Sequence, residues 1–217
     1  ISSEIELIFD FFEMADIRGL RLPEDSQKLR QKIAEIRKII RNPDKDRKAE
    51  VLSAWPETDL LSLIGLAQHY AVPTRLLDWT RNPYIAAYFA ASNAVKKEKE
   101  EKEENSKLSV WGLNSNIDNL MIPNKLSPNP RSFPLQIVTA PSSENPNLYA
   151  QDGLFTLYRY EIKDPHSPLD ILIDNYCKEQ ILVPPDGVLF NFTLPLVEAR
   201  SLLTLLNKKG INHSKLF

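Results

Sequence analysis

Between Gly65 and Ala91 the chain reads GLAQHYAVPTRLLDWTRNPYIAAYFAA, and side chains able to do chemistry are threaded through its apolar residues: Gln68, His69, Tyr70, Thr74, Arg75, Asp78, Trp79, Thr80 and Arg81. Such groups are costly to bury unless paired. They either satisfy one another as a structural knot or converge on a site, and the residue types alone allow both. His69 can act as a general base or hydrogen-bond a ribose hydroxyl, and a histidine at a helix end can equally be structural. Arg75 and Asp78 lie three apart, a spacing that predicts a local ion pair, either pinning the loop or touching a ligand. Trp79 offers a flat surface for stacking on a nucleobase or for packing in the core. Further on, Gln151-Asp152-Gly153 stands just before an apolar run containing Thr156. A carboxamide or carboxylate there either points into a cleft or belongs to a turn.

Other chemistries lack their patterns. No His, Cys and Asp group has metal-ligand spacing, neither glycine-rich phosphate-loop pattern occurs, and Cys177 has no base partner in the sequence.

The elements that must position these residues follow from periodicity and from proline. Leu60 to Tyr70 carries an apolar stripe of Leu60, Leu61, Ile64, Leu66 and Ala67, and Pro73 forces the residue before it out of helical geometry. Gln68, His69 and Tyr70 therefore fall at a helix end. Pro83 suits the first turn of a second helix, capped by Thr80 or Asn82, with Tyr84, Ala87, Tyr88 and Ala91 on one face. Its free amides and dipole, beside an arginine and two threonines, suit an anion.

Upstream, Glu4 to Ala15 places Ile5, Ile8, Phe9, Phe12 and Ala15 on one helical face. Asp25 or Ser26 caps a helix from Gln27 to Arg41 with Leu29, Ile33, Ile36 and Ile40 inward. Its basic face of Lys28, Arg30, Lys32, Arg37, Lys38 and Arg41 either touches the phosphates of a nucleic acid or is a solvated face, and the interspersed acidic residues favour the solvated face. Asn42 to Lys48 reads as a polar linker, and Lys96 to Glu104 as a charged helix end or loop. Downstream, Leu108–Leu113, Leu135–Ala140, Leu154–Tyr160 and Val188–Thr193 read as strands, Leu169–Asp174 and Lys178–Val183 as two more short strands or a strand and a turn, with a long Pro- and Asn-rich loop over Ile117–Pro134. An amphipathic helix from Leu196 to Lys209 stops at Gly210. Helices first and strands later predict an α+β fold, a helical N-terminal half packed on a mainly antiparallel sheet.

The 217 residues, with 42% hydrophobic and 26% charged side chains, suit a globular protein with a full core, and the net charge of −2 gives no general attraction for nucleic acid. A single cysteine excludes an internal disulfide and suits a reducing, cytoplasmic setting. No signal peptide pattern and no membrane-length apolar run occurs, so no membrane partner is expected.

AQHY (67–70), PTRLLDWT (73–80) and Pro83 followed by AAYFA (86–90) resemble the FRG domain family, named for an (F/Y)-R-G motif. The segments around Phe11–Leu29, NPNLYAQDGLFTLY (145–158) and KKGINHSKLF (208–217) are similar too, so the resemblance spans nearly all of residues 1–217, read as a single FRG domain with a helical part over 1–58 and a core over 59–217. Ala71 stands where the family usually has glycine, so its turn is expected to manage without a positive φ. Ile17-Arg18-Gly19 looks like the naming motif, but its surroundings match the helical segment that follows that motif, which would place the true motif upstream of Ile1 and both ends as trimmed.

The family's motif order is similar to the ADP-ribosyltransferase layout, with Asp78-Trp79-Thr80 as the second element and Gln151-Asp152-Gly153 as the third. That likeness implies an NAD- or nucleotide-binding protein using NAD as a substrate, with no tightly bound cofactor and with a macromolecular target. His69, Asp78 and Gln151 would orient hydroxyls in catalysis, while Gln68, Tyr70, Thr74, Arg75, Trp79 and Thr80 would hold the ligand. The superfamily's usual glutamate is replaced by Gln151. The alternative implied is a non-catalytic sensor or interaction module of a bacterial phage-defence or toxin system.

Overall fold

The computed structural model describes residues 1–97, 106–116, 121–122, 131–132, 134–139, 146–159, 167–179 and 187–217. They divide into two compact units, one of residues 1–78 with 138–149 and one of residues 79–137 with 150–217.

In the first unit α1 (Ser2–Ile17) buries Ile5, Ile8, Phe9, Phe12 and Ala15, the row that the sequence spacing predicts. α2 (Gln27–Arg41) is capped by Ser26, whose hydroxyl accepts the Leu29 N–H at 3.2 Å, and buries Leu29, Ile33, Ile36 and Ile40. Its basic residues are not simply solvated. Arg41 holds Glu6 at 2.9 Å, Arg37 holds Asp10 at 2.9 Å and also Glu13, and Arg30 holds Asp16 and Asp25, each at 2.7 Å. Lys32 pairs with Glu57 at 2.7 Å and Asp59 at 2.8 Å. The acidic row of α1 recurs every three or four residues, as a helix face requires, and so meets the arginine row of α2.

The expected linker over Asn42 to Lys48 is shorter than its polarity suggested. Asp44 accepts the amides of Asp46 and Arg47 and starts α3 (Lys45–Ala54), none of whose residues is buried. Without an inward apolar row α3 leaves no periodic signal, and only its cap announces it. A 3-10 turn at Thr58–Leu60 leads into α4 (Leu61–His69), where every residue from Leu61 to Ala67 is buried. α4 ends with Ala71 at φ +62°, while Ala71 N–H bonds Gln68 O at 2.9 Å and Val72 N–H bonds Ala67 O at 3.0 Å. These paired bonds need a left-handed residue beyond the helix end whatever its side chain. The expectation that alanine here would avoid a positive φ is therefore corrected.

β1 (Leu76–Thr80) follows, and then α5 (Pro83–Lys97) opens the second unit's helical part. α5 buries Ile85, Ala91 and Ala94, with Ala87 and Tyr88 packed against the same core, while Tyr84 of the expected face is exposed. α5 is followed by β2 (Lys107–Leu113), the two-residue strands β3 (Met121–Ile122) and β4 (Arg131–Ser132), and β5 (Leu135–Val138). Beyond these come α6 (Pro146–Ala150), β6 (Gly153–Tyr158), α7 (Leu169–Glu179), β7 (Leu189–Pro195), α8 (Ala199–Lys208) and α9 (His213–Leu216). β2 pairs antiparallel with β7, from Lys107 opposite Pro195 to Leu113 opposite Leu189, and β3 pairs antiparallel with β4. A third sheet has the order β1-β6-β5. Helices early and antiparallel strands late make the chain α+β.

The second unit's core forms around Leu135, Ile173, Tyr176 and Val188, around Ile85, Leu206, Ile211 and Leu216, and around Ala91, Ala94, Leu108 and Ala199. Leu169–Asp174 is helix rather than strand, because Ile173 and Tyr176, three apart, are the residues that bury. α8 closes as predicted at Gly210, whose φ is +77°, with Ile211 N–H reaching Leu206 O at 2.9 Å. The strand expected over Lys178–Val183, the loop over Ile117–Pro134 and the charged run over Lys96–Glu104 lie mostly outside the described residues. Among the described residues, no helix is long and apolar enough to cross a membrane.

Candidate functional site

In the first unit the end of α4 and the loop after it are tied by side chains. Thr74 donates its hydroxyl to Gln68 Oε1 and accepts the Leu76 N–H at 3.1 Å. The exposed His69 ring stands edge-on to Tyr70, with centroids 5.4 Å apart, and Tyr70 lies tilted on Phe11 at 5.6 Å. Arg75 does not pair with Asp78. Its backbone N–H, Nε and Nη2 reach the Glu4 carboxylate at 2.9, 2.8 and 2.7 Å, and that carboxylate also accepts Trp55 Nε1 at 3.1 Å. The chain from Arg75 into β1 is extended, so a residue three further on lies roughly 10 Å away on the opposite face. Asp78 is exposed.

Glu4 and Trp55 were not singled out from the sequence. The only hint was a carboxylate at the margin of the buried row of α1, which carries no information about a partner far along the chain.

In the second unit Trp79 donates its indole N–H to Thr156 Oγ1 at 2.9 Å, and Thr156 is only 1% exposed. Thr80 donates its hydroxyl to the Gln151 carbonyl at 2.7 Å and accepts the Asn82 N–H at 3.1 Å. Asn82 caps α5, its side chain accepting Tyr84 N–H at 3.0 Å and its carbonyl accepting Ile85 N–H at 3.0 Å and Ala86 N–H at 3.2 Å. The amides thought suited to an anion are thus engaged by Asn82 itself. Gln151 does not point its carboxamide into a cleft; Nε2 donates to Leu216 O at 3.2 Å and ties α9 down. Arg81 N–H bonds Asp152 O at 3.0 Å, with Asp152 at φ +47° and its carboxylate 3.6 Å from Arg81 Nη1.

The candidate residues therefore divide. Gln68, His69, Tyr70, Thr74, Arg75 and Asp78 lie in the first unit, and Trp79, Thr80 and Gln151 in the second. Gln68, Thr74, Arg75, Trp79, Thr80 and Gln151 each bond within their own unit. A shallow cleft lined by Lys38, Asn42, Asp44 and Arg47 includes none of them. Among the described residues no three His, Cys, Asp or Glu side chains gather as a metal would need. The Cys177 thiol is pushed up from its ordinary pKa by burial and by Asp174, so it is a poor nucleophile.

Residues 17–99, which take in AQHY, PTRLLDWT and AAYFA, match the model of the FRG domain. The chain carries an FRG domain. The FRG match opens on Ile17-Arg18-Gly19 and covers α2, α3, α4, β1 and α5, so the Glu4–Arg75 bond runs from outside the matched FRG segment to its middle. No curated protein and no solved structure matches the chain.

Proposed function

We propose that this FRG domain is a nucleotide-binding protein of ADP-ribosyltransferase-like type, taking NAD or ADP-ribose. The observation that carries this reading is the bond from the Thr80 hydroxyl to the Gln151 carbonyl. It brings the Asp-Trp-Thr and Gln-Asp-Gly segments, 71 positions apart, side by side. A threonine-bearing segment leading into a helix and a Gln- or Glu-bearing segment leading into a late strand are the pieces such a layout brings together. In transfer, the bond from ribose C1′ to nicotinamide would break and nicotinamide would leave. A macromolecular or water oxygen would bond C1′ and give up its proton. Trp79 would supply stacking, and Arg75, occupied by Glu4, would shape its loop rather than touch phosphate. Likeness of arrangement supports binding more directly than transfer.

The test is calorimetric titration of NAD and ADP-ribose into the folded protein, with nicotinamide release followed in parallel. Saturable binding is expected; its absence from a folded sample overturns the reading. A second reading, a non-catalytic interaction module, is favoured by the engagement of both the Gln151 carboxamide and the Arg75 guanidinium in internal bonds. It predicts no nicotinamide release at any NAD concentration.

A further inference from the structure

We infer that the corner where α8 and α9 meet the first turns of α5 is a docking surface for single-stranded nucleic acid, its lysines facing phosphates and its exposed rings taking unpaired bases. This goes beyond the nucleotide reading and does not depend on it.

From Ala199 to Phe217 the chain has Arg200, Lys208, Lys209 and Lys215 and no aspartate or glutamate, although the whole chain carries 27 basic and 29 acidic side chains. Packing of Ile211 and Leu216 with Ile85 sets the turn after α8, and α9 with it, against α5. Lys208, Lys209, His213 and Lys215 are all exposed there. Among the described residues none of these lysines meets a carboxylate, whereas Arg30, Lys32, Arg37 and Arg41 of α2 are each held by carboxylates. Asp152, beside the Gln151 that bonds Leu216 O, is offset by Arg81 at 3.6 Å.

Aromatic rings stand among these cations. Lys209 Nζ lies 5.0 Å from the centre of the Tyr84 ring, which is 47% exposed. The His213 ring lies tilted on Phe217 at 4.9 Å, and Phe217 stands edge-on to Phe89 at 6.0 Å. A single strand answers both features, because its phosphates take cations and every unpaired base has a face to stack. A duplex hides those faces, and an acidic peptide answers the lysines alone. A bilayer surface would take a broad apolar face. Here Ile85, Leu206, Ile211 and Leu216 are buried, and Leu205 is the one exposed leucine of α8.

The experiment follows the anisotropy of labelled RNA and DNA single strands of about 12 nucleotides, a duplex of that length and poly-glutamate, alongside co-sedimentation with phosphatidylserine vesicles. The proteins are the wild type, Tyr84→Leu, Tyr84→Trp and Lys208→Gln/Lys209→Gln, with melting temperatures recorded for each. Every substituted side chain is exposed, so the variants are expected to fold. The wild type should bind a single strand about tenfold or more tightly than the duplex or poly-glutamate, the step that one stacked base supplies. Its affinity should fall with salt at a log–log slope of about −2, as contacts from Lys208, Lys209 and Lys215 require, and the double lysine variant should reduce that slope to about −0.7. Tyr84→Leu should weaken binding about fivefold or more, and Tyr84→Trp should restore it. The tighter of the RNA and DNA strands identifies the sugar recognised. No binding of either strand at about 50 mM salt overturns the inference. So do tighter binding to vesicles, equal binding of duplex or poly-glutamate, and folded variants that bind as the wild type does.

Discussion

The Glu4 carboxylate holds the guanidinium and backbone N–H of Arg75, a residue 71 positions further along the chain, and shares its Oε2 with the Trp55 indole. Both partners are largely buried, with side-chain exposures of 26% for Arg75 and 13% for Glu4. Removing either therefore strands the other. Glu4→Ala is expected to cost about 3 kcal/mol in urea unfolding, the low end of the roughly 3–5 kcal/mol for breaking a buried pair, because Arg75 keeps some solvent contact. The double variant Glu4→Ala/Arg75→Ala should cost less than the sum of the singles. Additive losses would mean that the two residues act independently.

Ala71 occupies a left-handed position that carries no glycine. Relief of the Cβ clash is worth about 1–2 kcal/mol, partly offset by the roughly 0.5–1 kcal/mol that glycine's extra freedom costs in the unfolded chain. Ala71→Gly should thus raise stability by up to about 1 kcal/mol, seen as a higher melting temperature, and Ala71→Val should lower it. A destabilised glycine variant would show that α4 does not end in this conformation.

The Trp79 indole N–H depends on the Thr156 hydroxyl. Thr156→Val keeps the shape and removes the acceptor, leaving a part-buried donor unmatched at a cost of about 1–3 kcal/mol. Thr156→Ser should recover most of the loss of the bond. Denaturant midpoints decide it, and a valine variant as stable as wild type would show that water replaces the bond.

Acid should weaken the pairing of α1 with α2. The hydrogen bond from Arg41 holds Glu6 below its ordinary pKa of 4.5, and the bond from Arg30 holds Asp16 below 3.8. A carboxylate with a depressed folded pKa contributes stability above its unfolded pKa and loses it as pH falls through the folded value. Unfolding free energy should therefore be level at neutral pH and decline from about pH 4.5 downward. Glu6→Gln should flatten part of that decline. An unchanged profile in the variant would exclude Glu6 as a contributor.

Much of the helical architecture was legible because its rows are long. Ile5, Ile8, Phe9 and Phe12 repeat only as a helix would, and Ser26 marks the start of α2. α7 misled because Leu169, Ile171 and Ile173 alternate as a strand does, while Ile173 and Tyr176 carry the helical spacing that burial selects. The candidate site was legible in its residues and not in its bonds. Arg75 has a carboxylate three positions away and chooses one 71 positions away, and no local pattern encodes that choice. Gln151 could be ranked as interesting without any sign that its partner is the carbonyl of Leu216.

The charge rows of α1 and α2 also fix how far one helix can slide along the other. Apolar residues recur every turn, so packing alone would tolerate a shift of one turn, about 5.4 Å. Glu6 opposite Arg41, Asp10 and Glu13 opposite Arg37, and Asp16 opposite Arg30 are spaced unevenly along α2. A one-turn slip would carry an end pair past its partner and set Arg37 off its two carboxylates. The apolar rows decide which faces meet, and the ion pairs act as a ratchet that admits a single register.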